Sequence, residues 1–96
     1  GAPIDAQRAL GLGLVNRVVA SESLEAETLA LAEKLAGSAP QALAAILDAV
    51  LIGGECGIEA GLDYETQSFT VLSTTQDMRE GTRAFLEKRK PVFTGA

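Results

Sequence analysis

Ninety-six residues set a limit of one small domain, which buries a smaller share of its surface than a larger one. Hydrophobic residues make up 47%, but with one Tyr, three Phe and no Trp the core has to come from Ala, Leu, Val and Ile, a composition that favours helix. The net charge of −5 argues against general nucleic-acid binding, and with no histidine neither a Ser–His–Asp or Cys–His nucleophile nor an imidazole metal site can be assembled.

In chain order, Asp5 is a candidate N-cap for a short helix over Ala6 to Leu10, stopped by Gly11 and Gly13. Leu14 to Val19 is β-branched and reads as a short extended stretch. Ser21 or Ser23 is expected to cap the next helix, in which Glu22, Glu25 and Glu27 complement the positive end of the helix dipole. Leu24, Thr28, Leu31 and Leu35 form its expected buried stripe, and Gly37 ends it.

Pro40 suits the first turn of a third helix, where no amide hydrogen is needed. Leu43, Ile46, Leu47, Val50 and Leu51 recur at spacings of three and four, with Gly53-Gly54 as the expected close and Cys56 in the loop beyond. A fourth helix opens after Gly57 and places Ile58, Leu62, Phe69 and Leu72 on one face. Glu65 shares that face, so its carboxylate is expected to need a partner such as Arg8 or Arg17.

Thr74 and Asp77 resemble a capping box at the start of a last helix running to about Lys88, with Met78, Thr82, Phe85 and Leu86 facing inward. Gly81 in its middle implies close packing against another backbone. Pro91 and Gly95 mark an irregular tail. The whole is an all-α unit of about five helices with one short extended stretch. Residues 1–20 read as the continuation of a preceding segment, and 21–96 as the helical part.

Charge divides along the chain. Up to residue 70 there are three basic against ten acidic side chains; beyond it there are five basic against three acidic. Arg79, Arg83, Lys88, Arg89 and Lys90 thus form a basic end. On composition alone this is a solvated tail or a site for a compact anion such as a nucleotide phosphate.

Two local patterns are set aside. Gly11-Leu12-Gly13 follows a helix and precedes extended chain, the reverse of a dinucleotide-binding loop. Glu22-Ser23-Leu24 is similar to the phosphopantetheine site of acyl carrier proteins, but only a short helix and an extended stretch precede Ser23, so capping is the simpler role. Cys56 is the only cysteine, so no internal disulfide forms; with no histidine beside it, it is read as structural. No apolar run is long enough to span a membrane, and Gly1 to Asp5 does not resemble a signal peptide. A cytoplasmic setting is expected.

Four blocks, in order, resemble the enoyl-CoA hydratase/isomerase (crotonase) superfamily. They are Ile4 to Leu10 with Gly13 to Val19, then Ser38 to Leu43, the Leu62/Glu65/Phe69 spacing, and Asp77 to Pro91, the strongest. Together they extend over essentially the whole chain. The resemblance implies the C-terminal helical region of a fold whose core is a spiral of ββα units. In such enzymes the helical region packs subunits into trimers, often paired into hexamers.

The core of such an enzyme supplies two backbone amides for the thioester oxygen and glutamates for proton transfer. No residue here inherits those catalytic roles. What carries over is narrower: Phe85 and Lys88 correspond to a Phe and a Lys that reach a neighbouring subunit's acyl-CoA site. That assigns the basic end to a CoA phosphate rather than to a solvated tail. Glu65 and Gly81 are assigned structural roles. Where the helix after the Ser38 block often carries a Lys, this chain has Leu47, which fits the apolar stripe but not a ligand contact.

The expected function is therefore the C-terminal part of an enzyme acting on acyl-CoA thioesters, hydration of a 2-enoyl-CoA being the type reaction. CoA thioester is its substrate, with no separate cofactor and no metal. Its partners are acyl-CoA and further copies of the chain, with neither nucleic acid nor membrane involved. Alone the segment is expected to be inactive. A free-standing helical interaction module is the alternative.

Overall fold

The computed structural model describes residues 1–96 and contains five α-helices, one 3-10 turn and no strand. The chain divides into two units, Gly1–Glu33 and Lys34–Ala96.

In the first unit, Asp5 caps α1 (Ala6–Gly11), its Oδ1 accepting from the Arg8 amide at 2.7 Å. Residues 15–20 adopt no regular structure, so the expected extended stretch has no ladder partner. A 3-10 turn at Ser21–Ser23 leads into α2 (Leu24–Ala36). Neither Ser21 nor Ser23 caps this entry as expected. The turn satisfies the Ser23 amide through the Ala20 carbonyl at 2.9 Å, so a backbone acceptor has replaced the hydroxyl. Arg17 pairs with Glu27 at 2.7 Å in an exposed contact that contributes little to stability.

In the second unit, Pro40 occupies the first turn of α3 (Pro40–Cys56) as expected. The helix does not close at Gly53-Gly54; it runs on to Cys56, which is helical and exposed rather than in a loop. The break comes at Gly57, whose φ of 98° and ψ of 160° lie in a region essentially restricted to glycine. The chain doubles back into α4 (Ile58–Leu72), and the α3–α4 pair is the main helix–helix contact.

The glycine that lets the two helices approach is Gly61 on α4, which lies against Gly53. A Cβ on Gly61 would stand 2.8 Å from Gly53 Cα and 3.1 Å from the Ala49 carbonyl oxygen. Tyr64 then reaches across to donate its hydroxyl to Asp48 Oδ2 at 3.1 Å.

Only Gly61, Asp77 and Ala84 are buried. The leucines expected to be buried on α2 (Leu24, Leu31 and Leu35) are exposed, as is most of the stripes of α3 and α4, where only Leu43 and Leu72 are half-buried: Ile46 is 60% exposed, Val50 69% and Phe69 68%. The expectation of burial fails here because a helix pair is too thin to cover both sides of itself. No single helix is long and apolar enough to cross a membrane.

α5 (Gln76–Leu86) also turns a different face inward from the one expected. Met78, Thr82, Phe85 and Leu86 are exposed, Phe85 at 82%. Asp77 and Gly81 face the returning tail, and Ala84, further along the helix, is only 1% exposed. Gly81 is close-packed, but against the ring of Phe93, 3.4 Å from where a Cβ would stand, and not against another backbone.

Candidate functional site

The basic end is built on α5 and the residues that follow it. Thr75, not Thr74, caps the helix: its Oγ1 accepts from the Met78 amide at 3.1 Å, while the Thr74 hydroxyl donates back to the Val71 carbonyl at 2.8 Å. The capping box is therefore absent, and Asp77 is free for another task. Its Oδ1 accepts from the Thr94 amide at 2.7 Å and its Oδ2 from the Gly95 amide at 2.9 Å. The Asp77 amide in turn donates to the Ala96 carbonyl at 3.0 Å. A 5%-exposed carboxylate is thus satisfied by two backbone donors near the positive end of α5. The tail is tied on its other side by Gln41 Nε2, which donates to the Gly95 carbonyl at 2.6 Å.

One turn along, Glu80 receives both arms of the Arg89 guanidinium, at 2.6 Å and 2.9 Å. Its Oε1 also accepts from the Val92 amide at 2.9 Å. The Arg89 fork holds the Glu80 carboxyl at about 2, well below its ordinary 4.5, with the Val92 amide the next cause. Arg89 Nε reaches Glu87 at 2.6 Å as well, so Arg89 is not a free charge of the basic end.

Because the Glu80 pKa is depressed on folding, its contribution is present above the ordinary carboxylate pKa and is lost as pH falls through about 2. The Glu80 side-chain carbon resonance is expected to titrate near that pH, with the Val92 amide losing exchange protection in the same window. A midpoint at the ordinary carboxylate value would show that the fork does not persist in solution.

The turn that ends α5 places the two residues expected at the acyl-CoA site. The Lys88 amide donates to the Phe85 carbonyl at 3.2 Å and the Arg89 amide to the Ala84 carbonyl at 3.0 Å. This is a Schellman closure, which requires a left-handed residue at its centre. α1 ends the same way, with Gly13 at φ 72° donating to Leu10 and Leu14 donating to Ala9. At the end of α5 the left-handed position is Lys88, at φ 55°, the one non-glycine residue with positive φ. A side chain there costs about 1 kcal/mol or more relative to glycine. Lys88 and Phe85 are both exposed, and the Lys88 ammonium has no ion-pair partner.

Between α3 and α4 lies an apolar groove of about 590 Å³ with Gly53, Gly61 and Phe69 in its lining. Glu65 also lines it, on the face predicted by its spacing, but stands exposed and forms no ion pair. Arg17, one partner proposed for it, is paired with Glu27. No group of three or more Asp, Glu or Cys side chains converges as metal ligands.

Sequence reasoning missed the Asp77–tail and Glu80–Arg89 attachments. The available signal was the recurrence of Asp77, Glu80, Gly81 and Ala84 along one side of the helix, followed by an arginine and a short tail.

The model of the family described as enoyl-CoA hydratase/isomerase matches residues 1–96. The chain is 43% identical to 2,3-dehydroadipyl-CoA hydratase of Escherichia coli, over 99% of its own length and 37% of that protein. To methylmalonyl-CoA decarboxylase of the same organism it is 41% identical, over 97% and 36%. A crystal structure of enoyl-CoA hydratase subunit I from Geobacillus kaustophilus superposes with a TM-score of 0.92 at 44% identity, over 100% of this chain and 37% of that one. The chain spans a little over a third of the length of these proteins. Its helices correspond to the helical C-terminal region of the crotonase-type fold, and the protein belongs to the enoyl-CoA hydratase/isomerase family.

Proposed function

We propose that these residues form the C-terminal segment of an enzyme acting on acyl-CoA thioesters, of the type that adds water to a 2-enoyl-CoA. In this reading residues 1–20 continue the catalytic core and residues 21–96 carry subunit assembly, as a trimer or hexamer. Phe85 and Lys88 complete part of the acyl-CoA site of a neighbouring subunit. The glutamates and oxyanion amides belong to the rest of the enzyme, so the isolated segment is inert. No cofactor beyond the CoA thioester is involved, and the setting is cytoplasmic.

The observation that carries the reading is the turn ending α5. It carries an exposed phenyl ring at Phe85 and, three residues on, an unpaired ammonium on Lys88, whose left-handed backbone would cost less in glycine. An apolar contact beside a cation suits a CoA thioester, which carries phosphates and an apolar acyl chain. The exposed faces of α3 and α4 support the assembly role. The relatives support it in another way: a hydratase and a decarboxylase share this segment at 43% and 41% identity, which favours a duty common to both reactions over a step in either.

Lys88→Ala in the full-length enzyme tests the proposal. Alanine keeps the Cβ and therefore the left-handed strain, so the substitution removes only the stem and ammonium. The KM for acyl-CoA is expected to rise about 5- to 10-fold, the loss of one charge-assisted contact, with kcat at saturation within about twofold. An unchanged KM would leave a helical assembly module with no part in ligand binding.

A further inference from the structure

Lys88 is flanked on both sides by residues that a single guanidinium ties together. Arg89 Nε donates to Glu87 at 2.6 Å, its Nη1 donates to the Lys90 carbonyl at 3.2 Å, and its fork anchors the group to Glu80 on α5. Glu80 Oε1 closes the far side by accepting from the Val92 amide at 2.9 Å. The backbone on either side of the left-handed lysine is therefore fixed to the body of the helix. Unfavourable dihedrals persist where the surroundings over-determine them, and here the ion pair adds to the two backbone hydrogen bonds of the Schellman closure.

The same contacts settle the electrostatics of the turn. Glu80 and Glu87 are the carboxylates nearest Lys88 along this end of the chain, and Arg89 engages both. Lys88 is left without a counter-charge, so its ammonium is available to an outside anion. Without Arg89, either carboxylate would be released to compete for it.

We propose that Glu80 and Arg89 are positioning residues for Lys88: their ion pair holds the α5 turn in its left-handed form and keeps both nearby carboxylates away from the lysine. The proposal rests on the reading of Lys88 as an acyl-CoA contact. Neither residue touches the ligand. Arg89 is required as arginine, because a lysine ammonium is a point charge and cannot form the fork.

The test is a double-mutant cycle on the full-length enzyme, with kcat and KM for acyl-CoA measured for Glu80→Gln, Lys88→Ala and the pair. Glu80→Gln is expected to raise KM about 3- to 10-fold with kcat at saturation little changed. The double variant should be no worse than Lys88→Ala alone, because Glu80 acts only through the lysine. Arg89→Lys, which keeps the charge, should raise KM as Glu80→Gln does, and it serves as the second variant if Glu80→Gln folds poorly. In the 96-residue chain, Glu80→Gln should speed exchange of the Val92 amide. If Lys88→Ala raises KM while Glu80→Gln and Arg89→Lys do not, the positioning role is wrong and the acyl-CoA reading stands. Multiplicative effects in the double variant would also overturn it, since Glu80 would then act independently of Lys88. An unchanged KM in Lys88→Ala removes the acyl-CoA reading itself, and the positioning role with it.

Discussion

Gly61→Ala is expected to destabilise the second unit by up to about 2 kcal/mol, whereas the same change at Gly54 is expected to stabilise it. Alanine is the better helix former by about 1 kcal/mol, and at Gly54 nothing lies within 4 Å to oppose that gain. At Gly61 the new methyl meets Gly53 Cα at 2.8 Å, the Ala49 oxygen at 3.1 Å and the Gly53 nitrogen at 3.2 Å. All three are backbone atoms, so no side chain can turn aside and the helices themselves have to separate. Overpacking of this kind costs about 1–3 kcal/mol, which outweighs the propensity gain.

Gly53→Ala lies between the two. Its Cβ would stand 3.6 Å from Gly61 Cα, an ordinary contact, so a neutral or slightly stabilising effect is expected. Urea midpoints for the three variants provide the comparison. If Gly61→Ala were as stable as Gly54→Ala, the close crossing of α3 and α4 would not exist in solution.

The glycines also show what sequence patterns can and cannot reveal. Helix positions follow local rules, so Asp5, Pro40 and Gly57 bounded their elements as read. Gly53-Gly54 misled because a glycine can stop a helix or sit within one where another helix crosses, as Gly53 does against Gly61, while Gly54 meets nothing. Only the position of Gly61 in space separates the two. The α5 face was misjudged for a related reason. Apolar periodicity assigned Phe85 and Leu86 to the interior, but the element that covers α5 is the polar-anchored tail, so carboxylates and small residues face inward.

The candidate site was legible unevenly. Phe85 and Lys88 came from the family resemblance, and the structure places them on one exposed turn. Their supporting shell did not come from it. The Asp77 and Thr94 spacing has no periodicity to reveal it, and a Thr-x-x-Asp pattern has a simpler local meaning as a cap. The cap itself was displaced by one residue: with Thr74 and Thr75 adjacent, sequence spacing cannot decide which hydroxyl faces the Met78 amide.

Asp77→Ala is expected to cost about 2–3 kcal/mol and to release the tail before the rest of the unit unfolds. The carboxylate accepts two backbone amides, and hydrogen bonds to a charged group contribute about 1.5–3 kcal/mol each. The sum overstates the loss, because the freed Thr94 and Gly95 amides can reach water once the tail lifts. What is lost is then capped at the free energy that docks the tail, including Phe93 over Gly81 and the Gln41 bond to Gly95. Amide exchange at Thr94 and Gly95 should accelerate far more than exchange in α4.

Asp77→Asn separates acceptor loss from loss of volume. Asparagine keeps one acceptor oxygen but turns an NH2 group towards a backbone N–H, so it should lose about half as much or more. Full retention of stability in Asp77→Asn would mean that one acceptor is enough to hold the tail. Release of the tail is also expected to weaken the Val92 end of the Glu80 contact, which leaves the Arg89 fork and the two Schellman bonds to hold the turn. Lys88 should then lose its left-handed conformation more readily in Asp77→Ala than in the parent chain, a change its 3J(HN–Hα) coupling reports directly. The buried carboxylate at the start of α5 would in that case influence the conformation of the lysine at its end, through a tail bonded both to Asp77 and to Glu80, the partner of Arg89.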